Sequence, residues 1–303
     1  MFYPLKELTS KKVKDLLADF YYQNFQEYGK VGYIGNAIVD LVWDQKEKTS
    51  ESELRNKVND FYNLSKSNKQ HVDRKTEQPV ISLIDLSTVQ TFLDIGANKL
   101  TLINEVAASN SRIQKFIAID VIPQSKRFEH SNKFEYYQVD EHSPQYPLVS
   151  ESVDFVNISF ALHHMKNAKS ITHTLQEIRR VISANGRLLI WEESFEDKVE
   201  VKEIVNSNRG RDIFTNQDFT ERFYKLSKDE RMQFIIINDW IVNAYNDHMQ
   251  WTGQWRDWNS WVELLGKNGF VLKEKYNLGL RLNGKVKQGV HLLGLFSKIS
   301  TNI

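Results

Sequence analysis

The spacing of apolar and polar positions near the N-terminus predicts helices there. Residues 10–28 carry apolar side chains three and four positions apart, with Ser10 at the start and Gly29 directly after them. This spacing predicts an amphipathic helix that Ser10 caps and Gly29 ends. A second helix is predicted after Ser50, because Glu53 stands three positions later and completes a capping-box pattern.

The rest of the chain alternates short apolar runs with stretches of helical spacing. Predicted strands cover residues 90–95, 115–121, 134–139, 153–159, 187–192, 269–276 and 288–298. Predicted helices cover residues 100–110, 168–183, 228–248 and 257–267, whereas residues 194–227 are predicted to be irregular. This alternation indicates an α/β fold with a Rossmann-like, mostly parallel, seven-stranded sheet. The turn pair Asn283-Gly284 predicts that the last strand is antiparallel.

The pattern divides the chain into a helical part and a longer α/β part. Residues 65–77 are polar and form the best linker candidate. We therefore expect a helical extension or lid over residues 1–84. A Rossmann-like domain is expected over residues 85–303, with an insertion at about residues 194–260. At 303 residues, the chain is long enough to bury a full hydrophobic core.

Composition narrows the class of protein further. Apolar residues make up 41% of the chain and charged residues 26%, which is typical of a globular domain. The formal net charge of +1 provides no general attraction to nucleic acid or to a membrane. Cysteine is absent, which excludes disulfides, thiolate metal sites and cysteine nucleophiles. No apolar run approaches a membrane span and charges interrupt the N-terminal stretch, so we expect a cytoplasmic protein without membrane contact.

Three successive predicted strands end in acidic residues. Asp94 closes the first strand, just before Gly96. Asp120 closes the second strand and Asp140 the third, with Glu141 beside it as a second choice. The carboxyl ends of parallel strands gather at one edge, where α/β proteins bind nucleotide-like ligands, so these residues predict a ligand site. The alternatives are a plain turn at Gly96 and acids that only face solvent.

Five segments in this order resemble the class I S-adenosylmethionine-dependent methyltransferases. They read LDIGAN, AIDV, YYQVD, VDFVNISFALHHM and LQEIRRVISANGRLLIWEES. The chain is most similar to the branch of small-molecule methyltransferases that includes those of ubiquinone and menaquinone biosynthesis. The likeness covers residues 85–195 and extends in part over residues 257–298.

The resemblance implies that S-adenosylmethionine is the cofactor. It implies that the methionine part of this cofactor is bordered by Asp94, Gly96, Ala97 and Asn98. It also implies further contacts from Asp120 to the ribose, Asp140 to the adenine amine and Phe160 to the methionyl and sulfonium region.

The loop after the first strand departs from the family pattern. Two or three alternating glycines are usual there, whereas this chain keeps Gly96 and carries Asn98 and Leu100 at the other positions. Asparagine adopts left-handed backbone better than most residues, so we expect the turn to persist at Asn98. We expect Leu100 to point into the core, which leaves a pocket bordered by the backbone of Gly96 and Ala97.

Two adjacent histidines follow the fourth strand and are the candidate catalytic residues. His163 and His164 lie close to the expected position of the methyl group, and histidine titrates near neutral pH, which suits a general base. The alternative is a structural role as helix caps or core residues. We predict no metal site, because their sequence neighbours supply no ordered set of ligands.

Six aromatic residues lie between positions 240 and 261 and raise the question of a substrate pocket. Trp251 and Trp255 flank Gly253 outside any helical period, so they are the candidate substrate residues. Stacking on a planar or cationic acceptor is the chemistry they offer. The alternative is packing, which is the expected role of Trp240, Trp258 and Trp261.

These observations predict methyl transfer from S-adenosylmethionine to an acceptor that we expect to be a small molecule. One alternative is a catalytically inactive scaffold with the same fold, which the replaced glycines favour. Another is a nucleic-acid methyltransferase of the cap type, to which SFALHH and the basic residues between 198 and 211 have a faint likeness. The net charge does not support that partner. No oligomeric state is predicted.

Overall fold

The computed structural model describes most of the chain. The described residues are 9–26, 30–45, 47–50, 52–54, 56–58, 60, 78–124, 128, 133–140, 145–211, 213, 215–243, 253–280 and 289–299. The predicted linker at 65–77, the predicted turn Asn283-Gly284, Gly29 and Trp251 lie outside them.

Seven strands form one mixed sheet with the order β3-β2-β1-β4-β5-β7-β6. The strands are β1 Thr91–Ile95, β2 Lys115–Asp120, β3 Phe134–Gln138, β4 Val153–Ser159, β5 Ile182–Glu193, β6 Phe270–Leu280 and β7 Val290–Lys298. Strand β7 is antiparallel to both of its neighbours, and the other pairs are parallel. The predicted Rossmann-like sheet with an antiparallel last strand is therefore confirmed.

The register of the parallel strands brings the predicted site to one edge. Asp94 of β1 lies opposite Ala118 of β2 and Asn157 of β4. Strands β1, β2 and β4 are buried almost throughout, which explains their continuous apolar runs. At the same edge, Glu193 at the end of β5 pairs with His291 near the start of β7.

Helices cover the sheet and extend beyond it. They are α1 Lys11–Gln26, α2 Lys30–Gln45, α3 Gln78–Ile81, α4 Thr101–Ser109, α5 Ala168–Val181, α6 Val201–Asn208, α7 Gln217–Tyr224, α8 Lys228–Asn243 and α9 Trp258–Lys267. A short 3-10 helix, Leu162–His164, follows β4. None of the described helices combines the length and the apolar character that a membrane crossing requires.

The N-terminal helices agree with the sequence prediction in part. The side chain of Ser10 accepts the Val13 N–H at 3.5 Å and so caps α1. The predicted capping box is confirmed, because the Ser50 N–H donates to the Glu53 carboxylate and the Glu53 N–H donates to the Ser50 hydroxyl. Helix α2 was not predicted. It carries two glycines and several β-branched residues, which lower helix propensity, and its burial against α1 overrides that preference.

Residues 194–227 were predicted to be irregular, and this prediction is wrong. They contain helices α6 and α7, which are eight residues each. Asn216 caps α7 by accepting the Phe219 N–H at 2.9 Å. Short helices in a polar stretch give a weak periodic signal, and here both are held by packing against β6.

Apolar side chains form three clusters with different locations. Two clusters lie on the two faces of the sheet. The third joins the N-terminal helices to α7 and α8 and also contains Trp240 and Trp255. Trp258 and Trp261 of α9 pack on the sheet as predicted, whereas Trp240 packs among the helices.

Candidate active site

The loop after β1 keeps a glycine-like backbone at all three positions where the family carries glycine. The φ angles are +73° at Gly96, +43° at Asn98 and +59° at Leu100. Only glycine adopts such angles freely, and asparagine is the next most tolerant residue. The loop therefore retains its turn although two of the three glycines are replaced.

The side chain of Leu100 lies in the interior. It is completely buried in the apolar cluster that also contains Ala97 and Ile103. Leu100 is the residue before the first turn of α4, and its left-handed backbone aims the side chain inward. The prediction that Leu100 points into the core is confirmed. A small apolar cavity lies in the same layer of the fold, between α3, α4 and the sheet.

Asp120 ties the loop to the end of β2. Its carboxylate accepts the Asn98 N–H at 2.7 Å and the Ile122 N–H at 3.2 Å. A carboxylate has about four acceptor positions, so two remain for further donors such as hydroxyl groups. Val121, the next residue, is 53% exposed and provides an apolar surface beside the carboxylate.

The other two predicted acids have different surroundings. Asp94 is buried and accepts the side-chain N–H of Asn157 at 2.7 Å, so it braces β1 against β4. Asp140 is exposed and lies two residues beyond the end of β3. The structure thus brings Asp94 and Asp120 to the loop and leaves Asp140 at the outer end of the same edge.

Phe160 directly follows β4 and has an unusual backbone. Its φ angle is +54°, and its N–H donates to the carbonyl of Trp191 at 2.8 Å. The ring lies 4.7 Å from that of Trp191 and 4.8 Å from that of His291, measured between centroids. A positive φ in a non-glycine residue costs energy and is concentrated at functional sites. The ring of Phe160 thus contacts both Trp191 and His291 at the carboxyl end of β4.

His163 and Glu192 form a buried pair at the edge of the sheet. The Glu192 carboxylate accepts the Leu162 N–H at 2.9 Å through one oxygen, and its other oxygen contacts Nδ1 of His163. Nε2 of His163 lies 3.5 Å from the Asp239 carboxylate. Both ring nitrogens of His163 thus face a carboxylate.

These contacts determine the protonation of His163. Burial by itself lowers the pKa of this imidazole, but the carboxylates of Glu192 and Asp239 outweigh it and raise the pKa well above its ordinary value. The two carboxylates thus favour the protonated form of the imidazole.

A second buried group continues this network toward the N-terminal helices. Glu193 accepts the side-chain N–H of Asn238 at 3.1 Å, and Asn238 accepts the Tyr21 hydroxyl at 2.9 Å. Burial raises the pKa of Glu193 well above its usual range, and the charge of Asp239 adds to this rise. We define the carboxylate cluster as Glu192, Glu193 and Asp239.

The predicted substrate residue Trp255 lies at the site but is 2% exposed. Its ring lies nearly parallel to that of His163, with 6.0 Å between centroids. Gly253 passes so close that an added Cβ would lie 2.5 Å from the His163 carbonyl. The buried indole ring of Trp255 thus packs alongside the imidazole ring of His163.

The sequence analysis missed four residues of the site, namely Glu192, Glu193, Asp239 and His291. The glutamates were visible as two acids that end a strand, which was the signal used for Asp94 and Asp120. Asp239 carried no such signal, because it lies in a helix whose side chains between 231 and 240 are all buried.

Comparisons with known proteins match one family model and several solved structures. Residues 93–190, about one third of the chain, match the family model described as a methyltransferase domain. No curated protein sequence matches the chain significantly.

Solved structures with a similar fold include three from different organisms. A Haloferax volcanii protein described as a methyltransferase, in complex with the Trm112 methyltransferase activator, is 13% identical, with a TM-score of 0.50 over 75% of this chain and 90% of that one. The Burkholderia thailandensis 1,6-didemethyltoxoflavin-N1-methyltransferase, with bound 1,6-didemethyltoxoflavin and S-adenosylhomocysteine, is 13% identical, with a TM-score of 0.47 over 83% and 92%. An Aquifex aeolicus SAM-dependent methyltransferase is 15% identical, with a TM-score of 0.42 over 74% and 89%.

The chain therefore has the Rossmann-like methyltransferase fold, and residues 93–190 match the methyltransferase-domain model.

Proposed function

We propose that this protein transfers the methyl group of S-adenosylmethionine to a small-molecule acceptor. The observation that carries the proposal is the loop of residues 96–100, which keeps the left-handed backbone of a glycine-rich loop and is held by Asp120. A loop without function has no reason to retain two strained positions, at Asn98 and Leu100. The bound cofactor supplies a methyl group that its sulfonium has already activated.

The residues that we propose for the cofactor lie along one edge of the sheet. Asp120 has free acceptor positions for the ribose hydroxyls, and Val121 offers an apolar face to the adenine. Asp140 is proposed for the adenine amine. The methionine part is assigned to Asp94, Gly96, Ala97, Asn98 and Phe160.

His163 and His164 are the proposed catalytic residues. Glu192 orients His163 by contacting Nδ1, which directs Nε2 toward Asp239. If the acceptor is a hydroxyl, an unprotonated histidine nitrogen would accept the proton that the hydroxyl loses. Trp255 excludes water behind the ring, and Trp251 remains a proposed acceptor contact.

A small acceptor agrees with the burial of the site. The side chains of His163 and His164 are 1% and 10% exposed, so His164 has the more accessible ring, and the space for an acceptor beside it is small. Within the family, we place the chain beside the ubiquinone and menaquinone branch on the resemblance of its five segments. A cytoplasmic location belongs to the same proposal.

The helical parts of the chain form the proposed cover of the site. Helix α1 contacts α7 and α8, and Tyr21 reaches the network around Glu193. We propose that residues 1–84 and the insertion at 194–260 together enclose the acceptor above the domain of residues 85–303.

The proposal is tested by the binding of S-adenosylhomocysteine to wild-type protein and to Asp120→Asn. Each hydrogen bond to a charged group contributes about 1.5–3 kcal/mol. Since about 1.4 kcal/mol corresponds to a tenfold change, the variant should bind at least about tenfold more weakly in calorimetry.

Asp154→Asn is the matched control. Asp154 accepts the backbone N–H groups of Gln90 and Thr91 at the opposite edge, both at 3.0 Å, so the variant loses similar bonds far from the site. Its affinity should equal that of wild type. Wild-type protein that binds no S-adenosylhomocysteine would refute the proposal and favour the scaffold alternative.

A further inference from the structure

Three potential metal ligands meet at the carboxyl edge although they come from distant parts of the chain. Nε2 of His163 and Nε2 of His164 lie 3.5 Å and 3.6 Å from Oδ1 of Asp239. All three ligand atoms lie within 4.8 Å of one another. No sequence motif predicts this group, because Asp239 lies on α8, far along the chain from the two histidines.

The distances fit one metal ion. Zinc bonds to histidine nitrogen and aspartate oxygen are about 2.0–2.2 Å long, so two ligands of a tetrahedral ion are separated by about 3.4 Å. Both separations to Asp239 are within 0.2 Å of that value. The third separation, between the two histidine nitrogens, is at most 4.8 Å.

The surroundings of His163 add a second, independent observation. A histidine that binds a metal usually donates its other ring N–H to a carboxylate, which fixes the tautomer and orients the ring. Glu192 contacts Nδ1 of His163 in this way and is itself fully buried. The imidazole is thus held with Nε2 directed at Asp239.

The charge of the region favours a cation. Glu192 and Asp239 are 0% and 5% exposed, and buried carboxylates require a compensating charge. A divalent cation between Nε2 of His163 and Oδ1 of Asp239 would supply such a charge.

We propose that His163, His164 and Asp239 form a binding site for a divalent transition-metal ion, with Glu192 as the positioning residue of His163. Two imidazole nitrogens and one carboxylate suit Zn²⁺, Co²⁺ or Fe²⁺, whereas Mg²⁺ and Ca²⁺ prefer oxygen ligands. Three protein ligands leave one coordination position open, and a hydroxyl bound there becomes more acidic. The inference goes beyond the proposed methyl transfer and does not depend on cofactor binding.

The test uses full-length protein without a histidine tag, stripped with a chelator and titrated with Zn²⁺ in a calorimeter without cofactor. Wild type should bind one tight equivalent that millimolar Mg²⁺ does not displace. His164→Gln and Asp239→Asn should lose at least about 100-fold in affinity, and Glu192→Gln about 10–100-fold, as expected for an outer partner. His173→Gln, on α5 outside the group, is the matched control and should bind like wild type.

Asp120→Asn separates this inference from the proposed function, since it should bind Zn²⁺ normally while losing cofactor affinity. The metal site is refuted if wild type binds no stoichiometric Zn²⁺, or if His164→Gln and Asp239→Asn retain wild-type affinity. If these variants do not fold, Co²⁺-loaded wild type decides by proton NMR. Two exchangeable, paramagnetically shifted imidazole N–H signals support the site, and any other number overturns it.

Discussion

Gly96→Ala tests the close approach between the loop after β1 and the end of β4. An added Cβ at Gly96 would lie 2.6 Å from Cβ of Ala161, and the φ angle of +73° is unfavourable for alanine. The left-handed backbone costs about 1–2 kcal/mol in a residue with a side chain. Overpacking at a rigid contact adds about 1–3 kcal/mol. We therefore expect a total loss of about 2–5 kcal/mol in the free energy of unfolding.

Gly210→Ala is the matched control for the backbone part. Its φ angle is +81°, but an added Cβ meets no atom within 4 Å. This variant should lose only the backbone cost of about 1–2 kcal/mol. Urea denaturation measures the free energy of unfolding of both variants, provided that their m-values are equal. The difference between their losses is the cost of the contact with Ala161.

Ala161→Gly should rescue Gly96→Ala in part, because it removes the opposing methyl group but leaves the backbone strain. A double-mutant cycle isolates this interaction, and contacting residues typically give about 0.5–3 kcal/mol. The reasoning fails if Gly96→Ala is no more destabilising than Gly210→Ala, or if Ala161→Gly restores nothing. Either result would mean that the loop does not approach Ala161 as described.

Two further predictions concern the elements around the site. Tyr21→Phe removes the buried hydroxyl bound to Asn238 and should destabilise the protein by about 1–3 kcal/mol in urea, whereas Tyr22→Phe, 53% exposed, should have no effect. Asp257 caps α9 by accepting the Ser260 N–H at 3.0 Å, so Asp257→Ala should cost about 0.5–2 kcal/mol and Asp257→Asn clearly less. Burial raises the pKa of Asp257, but the Ser260 N–H and Lys228 outweigh it and lower the pKa. The stabilisation that the Asp257 carboxylate provides is therefore present above its ordinary pKa of 3.8 and is lost as the pH falls through its lower pKa in the folded protein. The melting temperatures of wild type and Asp257→Asn should therefore converge in acid. A difference in melting temperature that stays constant with pH would contradict this.

The sheet was predictable because its signals are local. Each parallel strand is a short apolar run ended by an acid or a turn, and the carboxyl ends of such strands share one edge. That rule placed Asp94 and Asp120 at the loop without any knowledge of contacts. It also placed His163 and His164 at the same edge, since they directly follow β4.

The buried network at this edge was not predictable by the same means. Asp239 and Asn238 lie in a helix that is buried on all sides between residues 231 and 240, so no polar face separates from an apolar one. Their partners Tyr21, Glu193 and His163 come from an N-terminal helix, a strand end and a short 3-10 helix. Only the tertiary packing of α8 against these elements brings the groups together.

The replacement of two glycines was the main sequence argument for an inactive scaffold, and the geometry of Leu100 weakens it. A left-handed leucine costs about 1–2 kcal/mol in backbone energy. Full burial of its side chain contributes about 1.5–3 kcal/mol, which offsets that cost. The loop therefore keeps its backbone path because the burial of the Leu100 side chain offsets the backbone cost. The side chain points into the core and away from the carboxyl edge of the sheet.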